Sequence, residues 1–128
     1  STMSYFVSQK GDTETIEKAK DFFITKTKEV SADFSVSYIE LNDNRDPAEE
    51  DRLIAISEGY SAIYVGVEGA ALFTFYEEGE TTEVVLQPQE YVYITPGTKY
   101  EIVGKCRLML IALPAYSKGM YTHPKIEV

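Results

Sequence analysis

Ten tyrosines, six phenylalanines and no tryptophan stand beside a single histidine, His123, and a single cysteine, Cys106. That inventory bounds the chemistry. Transition-metal sites favour imidazole and thiolate ligands, and a lone imidazole near a chain end is more often solvated than ligating. Cys106 has no histidine near it in sequence and precedes an apolar run. It therefore reads as a small buried hydrophobe rather than a nucleophile. Residues 42–51 (NDNRDPAEED) are acidic but lack the Asp-x-Asp-x-Asp-Gly spacing of a calcium loop. A solvated loop is expected there. No Gly-x-Ser-x-Gly elbow occurs, and Gly66 and Gly69 do not make a dinucleotide fingerprint. Tyrosine is what remains. Its flat apolar face and single hydroxyl suit sugar rings and aromatic ligands. It is also a good strand former, so most of the ten are expected to be structural.

The totals set the frame around those residues. A chain of 128 residues is one domain's worth, 44% apolar and 26% charged, and can bury a real core. The net charge of −9 and the absence of any Lys/Arg cluster argue against nucleic acid and anionic membrane surfaces as partners. One cysteine cannot make an internal disulfide, which fits a reducing, cytoplasmic home. No run reaches the length of a transmembrane helix.

Two periodicities position the side chains. Over residues 12–21 (DTETIEKAKD), Asp12 or Thr13 can cap, Glu14 and Glu17 suit a first turn, and Ile16, Ala19 and Phe23 share a helical face. A short N-terminal helix is expected there, and Phe22 to Val30 is consistent with either helix or strand. From Phe34 the period changes to two. Short runs rich in Val, Ile, Tyr, Phe and Leu then follow: 34–41, 52–57, 62–67, 71–76, 82–86, 91–94 and 107–113. Turn residues such as Glu58-Gly59, Glu68-Gly69 and Pro96-Gly97 separate them. Strands at this spacing indicate a sandwich or barrel.

The stretch from about Ile54 to Ser117 resembles a cupin. Gln89 to Ser117 carries most of the likeness. A cupin's second motif runs from a Gly-Asp turn through a strand ending in Ile-Pro-Pro-Gly to a histidine three residues later. Here Gln89-Glu90 stand at the turn, Thr95-Pro96-Gly97 match the Pro-Pro-Gly, and Tyr100 falls where the histidine would be. The first motif, His-x-His, a glutamate and then Glu-Gly, keeps only Glu68-Gly69, in IYVGVEGAALFTF, which looks like the usual hairpin. Its histidine register falls near Ile56 and Glu58, and its glutamate register near Ala62.

The resemblance implies a mostly β fold, a cupin-like double-stranded β-helix or jelly-roll barrel. Residues 1–33 would be an N-terminal helix and extended arm, 34–117 the barrel and 118–128 a C-terminal tail. It also implies a lost metal site, so no metal and no other cofactor is expected. Tyr100 should point into the cavity in place of the histidine, Tyr64 should turn inward by alternation with Ile63 and Val65, and Glu58 should sit near the mouth. With Phe75 these are the expected ligand-binding residues; no catalytic residue is assigned. If Val92 and Ile94 face the core, as in the cupins, Tyr91 and Tyr93 face outward and would cover an N-terminal element or form a homodimer contact. The leading reading is a metal-free module binding a small molecule, such as a carbohydrate or nucleotide sugar. A metal-independent sugar isomerase or epimerase using Glu58, Tyr64, Tyr100 and Glu101, and a structural dimer with a filled barrel, are the alternatives.

Overall fold

The computed structural model of the chain describes residues 4–116 and the backbone of residues 121–122. Among the described residues nine strands carry the fold: β1 (Glu14–Ala19), β2 (Phe22–Lys26), β3 (Ser35–Leu41), β4 (Ile54–Ser57), β5 (Ser61–Glu77), β6 (Glu80–Leu86), β7 (Tyr91–Ile94), β8 (Lys99–Leu113) and β9 (Tyr121–Thr122). His123 lies outside the described residues.

All pairings are antiparallel. The long strands β5 and β8 pair with each other from Ser61↔Leu113 to Tyr76↔Lys99. Each also changes its other neighbour partway along. The first half of β5 pairs with β7 and the second half with β6. The late half of β8 pairs with β3, while its start pairs with β4. Two sheets result, β1-β2-β3-β8-β5-β7 and β9-β4-β8-β5-β6, with β5 and β8 running through both. This is a jelly-roll arrangement.

The sequence suggested a hairpin at Glu68-Gly69 and two separate strands on either side. The structure corrects this to one 17-residue strand that bends. A register shift between Gly66 and Glu68 marks the bulge, and bulges sharpen the local bend and twist. Close backbone approach requires glycine on both strands here. A Cβ at Gly69 would lie 2.2 Å from the Lys105 carbonyl oxygen, and one at Gly104 would lie 2.5 Å from that of Ala70. Gly69 also takes φ +71°, where other L-residues are strained.

Residues 102–105 of β8 face neither β3 nor β4. Asn44 fills that gap from the acidic loop. Its side chain donates to Ile102 O (3.3 Å) and accepts from Gly104 N–H (2.8 Å), and its own N–H donates to Gly104 O (3.1 Å). One polar loop residue thus satisfies backbone groups that a strand would otherwise pair.

The N-terminal helix expected over 12–21 is not formed. Lys10–Asp12 makes a single 3-10 turn, and Glu14–Ala19 is a strand hairpinned to β2. The hairpin turns at Asp21, which takes φ 62°, a conformation aspartate tolerates better than most residues. Helix propensity is a weak preference that tertiary context overrides. Here β2 extends the sheet along β3, β1 extends it along β2, and the Thr15 and Thr25 hydroxyls meet at 2.7 Å across the pair. Phe22 and Ile24 then turn the same way as Ile39 and Leu41 on the neighbouring strand.

The core lies between the sheets. Tyr60, Tyr64, Phe73, Tyr100, Ile39, Leu41 and Leu108 are its largest buried side chains. Cys106 is buried among them, and that burial pushes its thiol up to about 11. No helix among the described residues is long and apolar enough to cross a membrane.

Candidate functional site

The interior aromatic cluster is built by period-two alternation on two paired strands that bend together. Ala62, Tyr64, Phe73 and Phe75 of β5 point inward, as do Tyr100, Ile102, Cys106 and Leu108 of β8. Tyr100 packs against both Phe75 and Phe73, with ring centroids at 6.2 and 6.5 Å. Tyr64 meets both Phe73 and Tyr100 edge-on, at 5.3 and 5.9 Å. The Tyr64 and Tyr100 hydroxyls are hydrogen-bonded at 2.7 Å. Both residues are fully buried. In this low-dielectric setting the hydroxyl pair is a directional polar feature held among aromatic rings.

Tyr64 also reaches a cavity of about 160 Å³. The cavity opens on the inner face of the sheet that β1, β2 and β3 extend. Tyr60, Tyr64 and Tyr116 supply aromatic surface, and Ile24, Ile39 and Leu110 supply aliphatic walls. Tyr60 and Tyr116 cross edge-on at 5.9 Å. The polar rim holds Lys18, Lys26, Thr27, Glu29, Ser35 and Ser37. Mostly apolar walls with a few polar groups are the usual make-up of a small-molecule pocket.

Three of the four sequence-derived site residues, Tyr64, Phe75 and Tyr100, come together in the aromatic cluster. Of these, Tyr64 alone lines the large cavity; Tyr100 stands behind it. Glu58 is exposed in the turn between β4 and β5 and does not line the cavity. Glu101 belongs to the opposite face of β8 from Tyr100. There it accepts from Arg52 Nε (2.9 Å), Arg52 Nη2 (2.7 Å) and the Tyr76 hydroxyl (2.9 Å). Desolvation and the Glu101 carboxylate together raise the Tyr76 pKa, and the hydrogen bonds to Glu101 raise that of Arg52. This network ties the segment just before β4 to β5 and β8.

The rim residues Lys18 and Lys26 were missed by sequence reasoning, because 12–21 reads as a helix and 22–30 fits either helix or strand. The Ser35-x-Ser37-x-Ile39-x-Leu41 alternation in β3 carried a usable signal: one face that turns from polar at the mouth to apolar in the core.

The resemblance to the cupin motifs puts the metal-ligand registers near Ile56 and Glu58, near Ala62, and at Tyr100. Tyr100 is enclosed by aromatic rings and a tyrosine hydroxyl, and Glu58 faces solvent. Among the described residues no three His, Cys, Asp or Glu side chains converge. This donor set does not fit a metal ion.

No family model matches the sequence, and no curated protein does. Solved structures match closely in fold. Pac13, described as a nucleoside dehydratase, superposes with a TM-score of 0.75 at 15% identity, covering 98% of this chain and 95% of that one. A tyrosine-to-phenylalanine variant of Streptomyces Pac13 with uridine matches over the same shares at 16% identity, again with a TM-score of 0.75. An RmlC-like cupin from Shewanella frigidimarina matches at TM-score 0.66 and 15% identity, over 89% of this chain and 95% of that one. The fold is that of the cupins, as the Pro96-Gly97 segment suggested.

Proposed function

We propose that this chain is a metal-free cupin whose cavity binds a small ring-bearing polar molecule: a carbohydrate, a nucleoside or a nucleotide sugar. The observation that carries the reading is the cavity of about 160 Å³ with Tyr64 in its wall and the Tyr64 hydroxyl bonded to Tyr100. Aromatic faces cover a ring, and hydroxyls at the rim and wall orient it. The cavity counts against a filled barrel. The similarity in fold to a protein crystallised with uridine points to the same ligand class. A metal-independent isomerase or epimerase would need an acid–base pair at one spot. Neither of the carboxylates named for that role, Glu58 and Glu101, lines the cavity, and Glu29 stands on its polar rim rather than in the aromatic wall, so binding is the better-supported reading. The proposal includes a cytoplasmic home, in keeping with the free buried thiol of Cys106.

Titration with uridine in the presence of EDTA tests this directly. At a hundred times its Kd a ligand adds about 2.7 kcal/mol of stability. A rise in Tm of several degrees is expected for a domain this size, unchanged by chelator and lost in Tyr64→Ala. Stabilisation by a divalent metal, or no response to uridine or a panel of sugars and nucleotide sugars, overturns the reading.

A homodimer through the outer face of the β7-β5-β8-β3 sheet belongs to the same proposal. Tyr93, Ile63, Ile111 and Val36 lie in one cross-strand row, and Tyr91, Val65, Met109 and Tyr38 in the next. Tyr91 is 70% and Tyr93 55% exposed. Eight outward positions without a charge are notable in a chain of net charge −9. The row beyond them alternates in sign, with Arg107 between Glu40 (3.5 Å) and Glu68 (3.8 Å). A second copy can therefore meet this face without like-charge repulsion. Sedimentation of wild type and Ile63→Asp/Ile111→Asp decides it: a dimer that the variant converts to a monomer supports the contact, and a monomeric wild type at micromolar concentration refutes it.

A further inference from the structure

The cavity rim carries a local charge opposite to that of the whole protein. Two lysines and one glutamate line it, in a chain of net charge −9. Both lysines are placed there by the N-terminal hairpin. Lys26 of β2 pairs with Ser37 of β3, which also lines the cavity, and shares its face with Ile24. Lys18 is the extra residue of a β-bulge: Glu17 pairs with Phe23 and Ala19 with Phe22, leaving Lys18 between them. Ile16, two residues earlier, pairs with Ile24 on the cavity face, so alternation already turns Lys18 to that side, and the bulge lets Ala19 return to the same face opposite Phe22. None of the ion pairs among the described residues uses either lysine. The glutamate of the rim, Glu29, is likewise in none of them.

We propose that the cavity's ligand carries an anionic group, a phosphate or a carboxylate, received by Lys18 and Lys26. This rests on the cavity being the ligand site and adds the charge of the ligand to that reading. The division of the site follows its chemistry. The Tyr60, Tyr64 and Tyr116 surface takes the ring, and the wall grows polar only toward the rim, at Thr27, Ser35 and Ser37. A charged substituent is costly among aromatic walls and belongs at the wet end. Lysine is a compact point charge on a flexible stem, suited to a phosphate whose position varies with the ligand.

Calorimetric titrations with uridine, uridine 5′-carboxylate and uridine 5′-monophosphate at low salt test the proposal. At least one anionic form is expected to bind about tenfold or more tightly than uridine, with an advantage that shrinks as salt is raised. Which anion gains more separates phosphate from carboxylate. Lys18→Met/Lys26→Met should lose most of that advantage, and Lys105→Met, on the outer face of β8, should keep it. Equal affinity for all three ligands overturns the anion inference and leaves the ring pocket standing. If none of the three binds, titration with inorganic phosphate, followed by NMR shifts of the β1–β2 amides, separates the two claims. A response lost in the double variant keeps the anion site and removes uridine as its ring; no response overturns the anion site as well.

Discussion

The hydroxyls of Tyr64 and Tyr100, 36 residues apart in sequence, lie 2.7 Å from each other in the interior. Tyr64 belongs to the half of β5 that pairs with β7, and Tyr100 to the end of β8 that pairs with β4. The contact therefore joins the two sheets where no backbone ladder does. It also connects the cavity wall to the residue that stands in the motif position of a metal ligand.

A double-mutant cycle of Tyr64→Phe and Tyr100→Phe should show this coupling. Each single change removes the shared bond and leaves a hydroxyl without it, at a cost of about 1–2 kcal/mol. The double variant should cost less than the sum, with a coupling of about 0.5–1.5 kcal/mol in urea denaturation. Strict additivity would show that the bond contributes nothing.

Asn44 should matter more than its place in an exposed acidic loop suggests. Asn44→Ala leaves Gly104 N–H without its side-chain acceptor and Ile102 O without its donor, costing about 1–3 kcal/mol. Asn44→Asp keeps the acceptor and loses the donor, so its stability should fall between the two. Amide exchange at Gly104 should accelerate in the alanine variant first.

Gly104→Ala should be among the most damaging single changes. The added Cβ would lie 2.5 Å from the Ala70 carbonyl oxygen at a bend where both strands are backbone-packed. A loss of about 3 kcal/mol or more is expected. Gly11→Ala, where a Cβ meets nothing within 4 Å, should change stability by less than about 0.5 kcal/mol. Equal effects at the two positions would contradict the packing described for the bend.

Cys106 should give the protein an alkaline limit. Burial raises the thiol from 9.0 to about 11. Because the folded value is the higher one, its stability contribution is complete below pH 9 and declines as pH rises toward 11. The loss amounts to about 2 kcal/mol by about pH 10.5. Urea midpoints of Cys106→Ala should fall less steeply over this window than those of wild type. The native thiol should also resist alkylation near neutral pH, since thiolate and access are both lacking.

Much of the architecture follows from the chain's own pattern. Alternation from Phe34 onward marks the strands, since a period of two is a local property of a pleated backbone. Tyr91-Val92-Tyr93-Ile94 shows it most clearly: Ile94 is buried, and both tyrosines face solvent. The lack of clustered histidine, cysteine and basic residues equally bounded the chemistry, because no fold can supply ligands that a sequence does not contain.

What the pattern left open depends on contacts distant in sequence. Residues 12–21 carry helix formers and 22–30 suit either helix or strand, yet 14–19 and 22–26 pair as strands because β3 offers an edge and a growing apolar face. The bend that makes one strand of 61–77 instead of a hairpin depends on Gly104, more than thirty residues away, coming close to Ala70. The site was divided in the same way. Alternation pointed Tyr64 inward, and the motif register suggested as much for Tyr100, but only the shared bend of the paired strands β5 and β8 brought their hydroxyls together. Only the hairpin laid over the mouth could place Lys18 and Lys26 beside the tyrosines. Side-chain direction along a strand is set by neighbouring residues, whereas a cavity is set by which strands end up facing each other.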